Sequence, residues 1–530
     1  MRRAGIVALA LAAVAGGWGP APAATVCVPD ASPGGEWRSM GRDLGHGRHQ
    51  SAEQTIGRLQ AATLEPAWTF SANRAAGDVN SEITGYPVVA DGCVFVGTSN
   101  GWARSGWVFA LNADGGDVAW KRPMFFGADP DPNLPPRAGG VYSSVAAENG
   151  LVYAYVSRVG APFVVALDQR DGSPVWISTV DTQPGADAVA SPIVFDGMVW
   201  VGVSGTAAEG DASQRFDFRG RSVLLDAATG AILASTPSIP DAEWDHGRGN
   251  AGAAIWSTIS IDSQTKYGYV GTGNPFSYEH ESQFANAVLK IDLDRSRQGF
   301  GAVVGAYKGD VEEYFADVGE AIACDEDETL SAFLAGFECG HLDLDFGAAP
   351  NLFTDARGRK LVGAGQKSGV YHVFDRDTME PVWKQVVGVP SLVGGIVGTP
   401  AFDGTAIYAP HTIAGYLAAL DRTTGAHRWV APVADGVHWG SPVTSANGVL
   451  YTVDFKGFLD AYDAGTGAPL LHVPMSLGAD TGLDPTITWG GASVARNTVY
   501  ATVGVGLTSI GPDMPSMPDG FVIAFRPRVL

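Results

Sequence analysis

Eight copies of one short unit recur along the 530-residue chain, and this repetition restricts the possible folds more than any other feature. Each copy has an apolar strand, a turn, a second strand, and a third strand that often ends in Ala-Leu-Asp before a glycine turn. The first copy reads YPVVADGCVFVGTS…GWVFALNADGGDVAW, and the last reads GASVARNTVYATVGVG…GFVIAFRP. Such repetition is typical of small antiparallel sheets arranged around an axis.

A constant interval links an Asx residue to a tryptophan within the unit. The pairs separated by eight residues are Asn112 and Trp120, Asp168 and Trp176, Asp375 and Trp383, and Asp421 and Trp429. The Asx residue begins a tight turn, and the tryptophan lies on the following outer strand. We expect each tryptophan to dock against the next unit. This favours an all-β, eight-bladed β-propeller of four-stranded antiparallel blades over an unrelated eight-hairpin sandwich.

The chain before the first copy contains the strand-like stretch LEPAWTF, which includes Trp68. We expect a strand near residues 64–70 to complete the last blade, which ends near Arg526. Pairing the two ends of the chain in this way would remove an exposed sheet edge.

The first 23 residues have the pattern of a secretory signal peptide. Two arginines are followed by an apolar run from Ala4 to about Ala15 and by a small-residue site at 21–23. This predicts cleavage after Ala23, export to the periplasm or the medium, and a single propeller over residues 24–530. The formal charge of −22 argues against binding to nucleic acid or to anionic membrane surfaces.

The four cysteines of an exported chain suggest two disulfides. Cys324 and Cys339 lie in one loop and are expected to pair, which leaves Cys27 and Cys93 as the second pair. Free buried thiols are the alternative. No C-x-x-C-H motif for a covalent haem is present in the sequence.

Repeats of the form A-L-D-x-x-T-G-x-x-x-W in an eight-bladed ring resemble the quinoprotein alcohol dehydrogenases. That family uses pyrroloquinoline quinone (PQQ) and Ca²⁺, and the resemblance runs from about residue 36 to the end. Non-catalytic PQQ-like propellers share the repeat, among them the outer-membrane assembly scaffold. An extracytoplasmic scaffold or binding module is therefore the alternative function.

The stretch AAIWSTISIDSQTKYGYVGTGN places Trp256 18 residues before Asn274. The resemblance implies that Trp256 forms the floor beneath PQQ and that Asn274 offers its amide oxygen to Ca²⁺. Glycines on both sides of Thr272 allow a sharp bend, and Pro275 restricts Asn274 to extended geometry. An Asx turn and a core tryptophan are the alternatives.

The stretch HLDLDFGAAP alternates Asp343 and Asp345 with apolar residues, so both carboxylates face one side of a strand. It resembles the D-x-D-x-x-A-x-P run of the family. The resemblance implies that Asp343 is the catalytic base and a metal ligand, with Asp345 as the fallback base. Lys367, 24 residues beyond Asp343, would polarise the quinone carbonyl. A solvated edge and a surface turn are the alternatives.

The remaining site predictions come from the same resemblance. An S-G-A-E-like segment implies that Ser204 and Gly205 line the cofactor and that Glu209 binds the metal, and Trp439 is expected to line the pocket. Many members carry two adjacent cysteines where this chain has Ser143-Ser144. With WRSMGRDLGHGRHQSAEQTI, these serines look most like the polyvinyl alcohol dehydrogenase branch without its haem domain.

These features together predict a PQQ- and Ca²⁺-dependent dehydrogenase that oxidises alcohols, with secondary and polymeric alcohols such as polyvinyl alcohol among the expected substrates. Asp343 would take the hydroxyl proton while hydride passes to the quinone. The electrons would then pass to a separate cytochrome or quinone acceptor.

Overall fold

A computed structural model describes residue 27 and residues 33–78, 80–100, 105–205, 208, 218–244, 251–276, 282–310, 344–388, 395–412, 415–433, 440–475, 490–504 and 519–528. Within these ranges the strands form eight sheets of four antiparallel strands, and one sheet carries a fifth strand. The predicted eight-bladed propeller is confirmed. The predicted signal peptide lies outside the described residues. No helix in the described ranges is both long and apolar enough to span a bilayer.

Four short elements precede the first complete blade. They are β1 His49–Gln50, α1 Arg58–Ala61, β2 Leu64–Ser71 and α2 Ala72–Ala76.

Blades 1 to 4 follow in chain order, each listed from its innermost to its outermost strand. Blade 1 has β3 Val88–Ala90, β4 Cys93–Gly97, β5 Trp107–Asn112 and β6 Val118–Pro123. Blade 2 has β7 Ala146–Glu148, β8 Leu151–Val156, β9 Phe163–Asp168 and β10 Pro174–Thr179. Blade 3 has β11 Ile193–Phe195, β12 Met198–Val203, β13 Arg221–Asp226 and β14 Ile232–Pro237. Blade 4 has β15 Ser260–Asp262, β16 Tyr267–Gly271, β17 Ala287–Asp292 and β18 Val303–Lys308.

Blades 5 to 8 repeat this order. Blade 5 has β19 Asn351–Thr354, β20 Lys360–Gly365, β21 Val370–Asp375 and β22 Pro381–Val386. Blade 6 has β23 Ala401–Phe402, β24 Ala406–His411, β25 Tyr416–Asp421 and β26 His427–Pro432. Blade 7 has β27 Thr444–Ala446, β28 Val449–Val453, β29 Phe458–Asp463 and β30 Pro469–Pro474. Blade 8 has β31 Ala492–Ala495, β32 Thr498–Val503 and β33 Phe521–Pro527, and β2 is its outermost strand.

Closure of the ring depends on the pairing of β2 with β33. The two strands run antiparallel, with Leu64 opposite Pro527 and Ser71 opposite Phe521. Because the first and last parts of the chain share blade 8, no sheet edge is left open at the point where the ring closes.

Where a repeat has a tryptophan on its outer strand, the ring packs against the glycine turn of the next blade, as the sequence predicts. Trp120 on β6 donates from Nε1 to the carbonyl of Gln169 in blade 2 at 2.9 Å. A Cβ at Gly172 would lie 2.5 Å from the Trp120 ring, and this residue has a φ of 69°. The same relation joins Trp68 to Gly116, Trp176 to Gly230, Trp383 to Gly425, and Trp429 to Gly467. Only glycine combines positive φ with room for the indole.

Blade 5 shows the exception that this packing explains. Its turn carries Met379 at a φ of 63° where the other turns have glycine. The residue of blade 4 that takes the tryptophan position is Gly305, and a Cβ there would lie 3.3 Å from Cγ of Met379. The large and small partners have therefore exchanged places, and the interface remains filled.

Residues 35–50, here called the N-terminal belt, run around the inner strands of the ring. Belt carbonyls or amides form backbone hydrogen bonds with blades 8, 1, 2, 4, 5, 6 and 7, through Arg496, Val89, Ala147, Ile261, Leu352, Phe402 and Ser445. Leu44 packs into the core that contains Ile193 of blade 3. A disulfide between Cys27 and Cys93, with Cα atoms 5.2 Å apart, ties the chain before the belt to blade 1. The predicted Cys27–Cys93 pair is confirmed, and Cys324 and Cys339 lie outside the described residues.

Candidate cofactor and metal site

Four predicted site residues lie on one face of the propeller, on the neighbouring blades 4 and 5. Trp256 and Asp345 precede the innermost strands β15 and β19, whereas Asn274 and Lys367 follow the second strands β16 and β20. In an antiparallel blade the first strand begins where the second ends, so all four positions share one end of the ring. This end is called the site face below.

The carboxylate of Asp345 lies at the centre of the group. Its Oδ2 accepts a hydrogen bond of 2.9 Å from Nε1 of Trp256 and lies 3.3 Å from Nζ of Lys367. The backbone nitrogen of Lys367 also donates to the carbonyl of Asp345 at 3.0 Å. Asp345 is 5% exposed. One buried carboxylate therefore fixes both the indole and the ammonium group.

The Lys367 ammonium lies over the ring of Trp256, with Nζ 5.4 Å from the ring centroid. This distance is within the range of a cation–π interaction. Trp256 is only partly buried, unlike the neighbouring Ile255 and Ser257. The site thus offers a partly exposed aromatic ring with a cation close to it.

Glycines leave room for the indole of Trp256. A Cβ at Gly347 would collide with the six-membered part of the ring, and a Cβ at Gly273 would lie 3.3 Å from Nε1 of Trp256 and 3.4 Å from Oδ2 of Asp345. Close approach to Trp256 therefore explains the second glycine of the sequence pattern G-T-G-N. The residue after that glycine is Asn274, which is 6% exposed.

Backbone pairing holds Asn274 beside the segment that carries Trp256. The nitrogen of Ala253 donates to the carbonyl of Asn274 at 3.0 Å, and Gly273 N donates to the carbonyl of Ala254 at 2.8 Å. An amide oxygen and a carboxylate, both hard oxygen donors, are thereby available in adjoining segments. Such donors are the ones that Ca²⁺ prefers.

Ser204 and Gly205 follow β12 and also lie on the site face. Val203, just before them, accepts a hydrogen bond of 3.0 Å from Ile255 N, next to Trp256. A Cβ at Gly205 would collide with the ring of Phe218. The structure places Ser204 and Gly205 next to the segment that carries Trp256. Their contact with a cofactor stays a prediction.

Three further predicted residues, Asp343, Glu209 and Trp439, lie outside the described residues. Their assigned roles stay predictions. Ser143 and Ser144, which replace the adjacent cysteines of many family members, are buried at 6% and 2% exposure. Ser144 links three blades, since its Oγ accepts from Tyr86 N at 2.8 Å and its nitrogen donates to Ser191 Oγ at 3.2 Å.

Sequence reasoning missed two acids, Glu82 and Asp187, that lie on the site face of blades 1 and 3. Glu82 is 1% exposed and exchanges two backbone hydrogen bonds with Ser99 at 2.7 and 3.0 Å, and Asp187 exchanges two with Ser204 at 2.8 and 2.9 Å. Burial, and then the charges of Asp187 and Glu82, raise the pKa of the Tyr142 hydroxyl. No local pattern marks these acids, because neither lies in a motif that the sequence analysis singled out.

Comparisons with known proteins show similarity to two kinds of propeller. Residues 37–293 match the family described as "Glucose/ethanol/alcohol dehydrogenase, beta-propeller domain", and residues 354–501 match "Outer membrane protein assembly factor BamB". The chain is 26% identical to a polyvinylalcohol dehydrogenase of Sphingopyxis sp. (strain 113P3) over 92% of this chain and 76% of that protein. It is 26% identical to a polyvinylalcohol dehydrogenase of Pseudomonas sp. over 74% of this chain and 56% of that protein.

A solved structure shows the same fold. The quinohemoprotein alcohol dehydrogenase from Comamonas testosteroni superposes with a TM-score of 0.66 at 18% identity, over 92% of this chain and 80% of that one. The superposition supports the propeller fold, and the sequence matches support a relationship to alcohol dehydrogenases of this kind. The matched region 37–293 includes Trp256 and Asn274, and the chain is similar in sequence and fold to the PQQ-dependent alcohol dehydrogenases.

Proposed function

We propose that this chain is an exported PQQ- and Ca²⁺-dependent dehydrogenase that oxidises alcohols. The observation that supports this proposal most strongly is the junction at which Asp345 binds both the indole of Trp256 and the ammonium of Lys367. A partly exposed aromatic ring, a cation close to it and nearby hard oxygen donors are suited to bind a planar anionic quinone and a divalent metal.

The residues would divide the work as follows. Trp256 would support the planar cofactor, with Ser204, Gly205 and Trp439 as further lining residues. Asn274, together with Asp343 and Glu209, would hold the metal. When bound, PQQ supplies a carbonyl that accepts hydride, and Ca²⁺ supplies a Lewis acid.

Lys367 and Asp345 have complementary parts in this proposal. Asp345 holds the ammonium at 3.3 Å, so the positive charge is already oriented before substrate arrives. Such preorganised charge stabilises negative charge that develops during a reaction. Asp343, two positions earlier, would accept the hydroxyl proton, and Asp345 is the second candidate for that role.

The proposed substrates are alcohols, with secondary and polymeric alcohols such as polyvinyl alcohol included. The names of the two relatives in the sequence comparison support the polymer. The proposal assigns the released electrons to a separate cytochrome or quinone acceptor. It assigns the protein to an extracytoplasmic location, which the Cys27–Cys93 disulfide favours.

A second candidate function is a cofactor-free scaffold or binding module. The specific observation in its favour is the match of residues 354–501 to the assembly factor family. A scaffold has no need for Trp256, Asp345 and Lys367 to remain in contact, whereas a cofactor site requires that contact.

The deciding experiment titrates the purified protein with PQQ in the presence and absence of Ca²⁺ by calorimetry. Dye reduction is then followed with ethanol, a secondary diol and polyvinyl alcohol. Trp256→Phe is expected to weaken PQQ binding, while Trp383→Phe is the matched control because Trp383 packs against Gly425 on the outer part of the ring. If the unmodified protein binds no PQQ at any Ca²⁺ concentration, the dehydrogenase proposal is wrong and the scaffold remains.

A further inference from the structure

A line of side-chain hydrogen bonds joins the inner parts of blades 4 and 5. It starts at the site face, where Trp256 Nε1 donates to Asp345 Oδ2 at 2.9 Å. It continues where Ser257 Oγ donates to the carbonyl of Ala348 at 3.0 Å, and then where Ser260 Oγ donates to the carbonyl of Pro350. These contacts between blades 4 and 5 are called the blade 4–blade 5 seam.

The N-terminal belt binds both sides of this seam at its far end. On the blade 4 side, Ile261 N donates to the carbonyl of Leu44 at 2.7 Å. On the blade 5 side, Leu352 N donates to the carbonyl of Gly45 at 2.8 Å. Two consecutive belt residues therefore set the separation of the two innermost strands.

His46 binds the same two blades, with its side chain on the blade 4 side and its backbone carbonyl on the blade 5 side. Its Nε2 lies 2.9 Å from the carbonyl of Ile259, three residues after Trp256, and its own carbonyl accepts from Asn351 Nδ2 at 2.7 Å. Asn351 is itself fixed, because its Oδ1 accepts from the Tyr371 hydroxyl at 2.8 Å. His46 is fully buried. Its Nε2 must carry the proton in this contact, because the carbonyl can only accept.

We propose that His46 is a positioning residue that holds Trp256 against Asp345 by fixing the blade 4–blade 5 seam from the belt side. That this pair faces a cofactor rests on the proposed function, whereas the seam itself does not. The segments from Trp256 to Ile261 and from Asp345 to Leu352 are each short. The Trp256–Asp345 hydrogen bond holds one end of both segments, and the belt holds the other end. Loss of the His46 contact therefore weakens the belt end of the seam, so that more of the restraint on the indole falls on the contacts at the site end.

An equivalent seam between blades 7 and 8 provides a control within the same molecule. Thr444 begins β27 as Ser260 begins β15, and its Oγ1 donates to the carbonyl of Ala492 at 2.6 Å. The belt reaches this seam through Arg48, whose Nε donates to the carbonyl of Val443 at 2.9 Å. Both hydroxyl residues, Ser260 and Thr444, are completely buried.

The test compares four variants of the full chain: His46→Asn, His46→Gln, Ser260→Ala and Thr444→Val. Glutamine keeps a donor at the position of Nε2, while asparagine does not reach it. Hydrogen exchange is measured by mass spectrometry for peptides covering 255–262 and 345–352, and PQQ affinity is measured by titration in excess Ca²⁺.

For His46→Asn and Ser260→Ala we expect faster hydrogen exchange in both peptides and PQQ binding that is weaker by about tenfold. A tenfold loss of affinity is the effect expected when one buried hydrogen bond is lost. His46→Gln is expected to stay close to the unmodified protein. Thr444→Val is expected to lower the melting temperature without changing either peptide.

The outcomes separate this inference from the proposed function. One outcome is that the unmodified protein binds PQQ, while His46→Asn and Ser260→Ala show the same exchange rates and PQQ affinity as Thr444→Val. In that case the positioning role is wrong and the dehydrogenase proposal stands. If no protein binds PQQ, the dehydrogenase proposal is wrong, and the exchange data alone decide whether His46 fixes the seam. If His46→Asn does not fold, Ser260→Ala against Thr444→Val decides by the same measurements.

Discussion

Trp256 donates its indole proton to the carboxylate of Asp345 at 2.9 Å, although the two residues lie 89 positions apart and on different blades. Asp345 in turn binds Lys367, which follows the second strand of blade 5. Asp345 therefore holds an aromatic ring and a cation next to each other. Each partner by itself has an ordinary structural explanation, and their convergence is what supports a cofactor site.

The Asp345–Lys367 ion pair is expected to be stabilising only as a pair. Both side chains are largely buried, at 6% and 15% exposure, so Asp345→Asn should cost about 3 kcal/mol of unfolding free energy. Lys367→Met should cost a similar amount, but the double variant should cost less than the two together, by about 1–2 kcal/mol. Urea unfolding of the four proteins measures this coupling. Strict additivity would show that the two charges do not interact.

Gly347 is expected to be required for the orientation of Trp256. A Cβ at this position collides with the indole, so Gly347→Ala should displace the ring and cost about 1–3 kcal/mol. Gly57→Ala is the control, because the nearest atom to its Cβ would be 3.4 Å away. Melting temperature and PQQ titration check the prediction. Equal behaviour of the two variants would mean that Trp256 does not depend on Gly347.

The glycine turns allow backbone strain to be separated from tryptophan packing. Gly150 and Gly172 in blade 2 have similar φ values of 77° and 69°, but a Cβ at Gly150 would meet nothing within 4 Å. Gly150→Ala should therefore cost about 1 kcal/mol, which is the cost of the left-handed conformation. Gly172→Ala should cost about 2 kcal/mol more, because it also displaces Trp120. Equal losses in urea unfolding would contradict the packing explanation.

Acid is expected to destabilise the protein partly through His46. Burial, and then the charge of Arg48, lower the pKa of His46 to about 3. In the unfolded chain a histidine takes up its proton at about pH 6.5, so between these values the unfolded state binds more protons. The stability contributed by neutral His46 is complete above about pH 6.5 and is lost as the pH falls toward 3.

His46→Gln removes this proton uptake. The slope of unfolding free energy against pH between pH 6 and 4 should become smaller by about 1.4 kcal/mol per pH unit. Urea unfolding at several pH values measures both slopes, and the difference between the two proteins cancels the contribution of the carboxylates. Identical slopes would show that His46 is protonated equally in the folded and unfolded states.

The sequence by itself determined the number of blades and the way in which they pack. Those features repeat locally: the Asx turn, its glycine and the tryptophan eight residues later lie within one unit, so their meaning is visible from spacing. The Met379–Gly305 pair fills the same position between blades, but the two residues lie in different repeats, so the spacing within one repeat does not show their contact.

Only the tertiary structure decided which distant side chains meet. The sequence suggested Trp256, Asn274 and Lys367 through a family resemblance, but nothing in it indicated that Asp345 would bind two of the other site residues. Nothing in it indicated that the charges of Glu82 and Asp187 would both act on Tyr142. Nothing in it marked His46 as a contact of blade 4. Such contacts depend on the order of the blades around the axis and on the path of the belt, and these follow from the summed packing of the whole ring rather than from any local pattern.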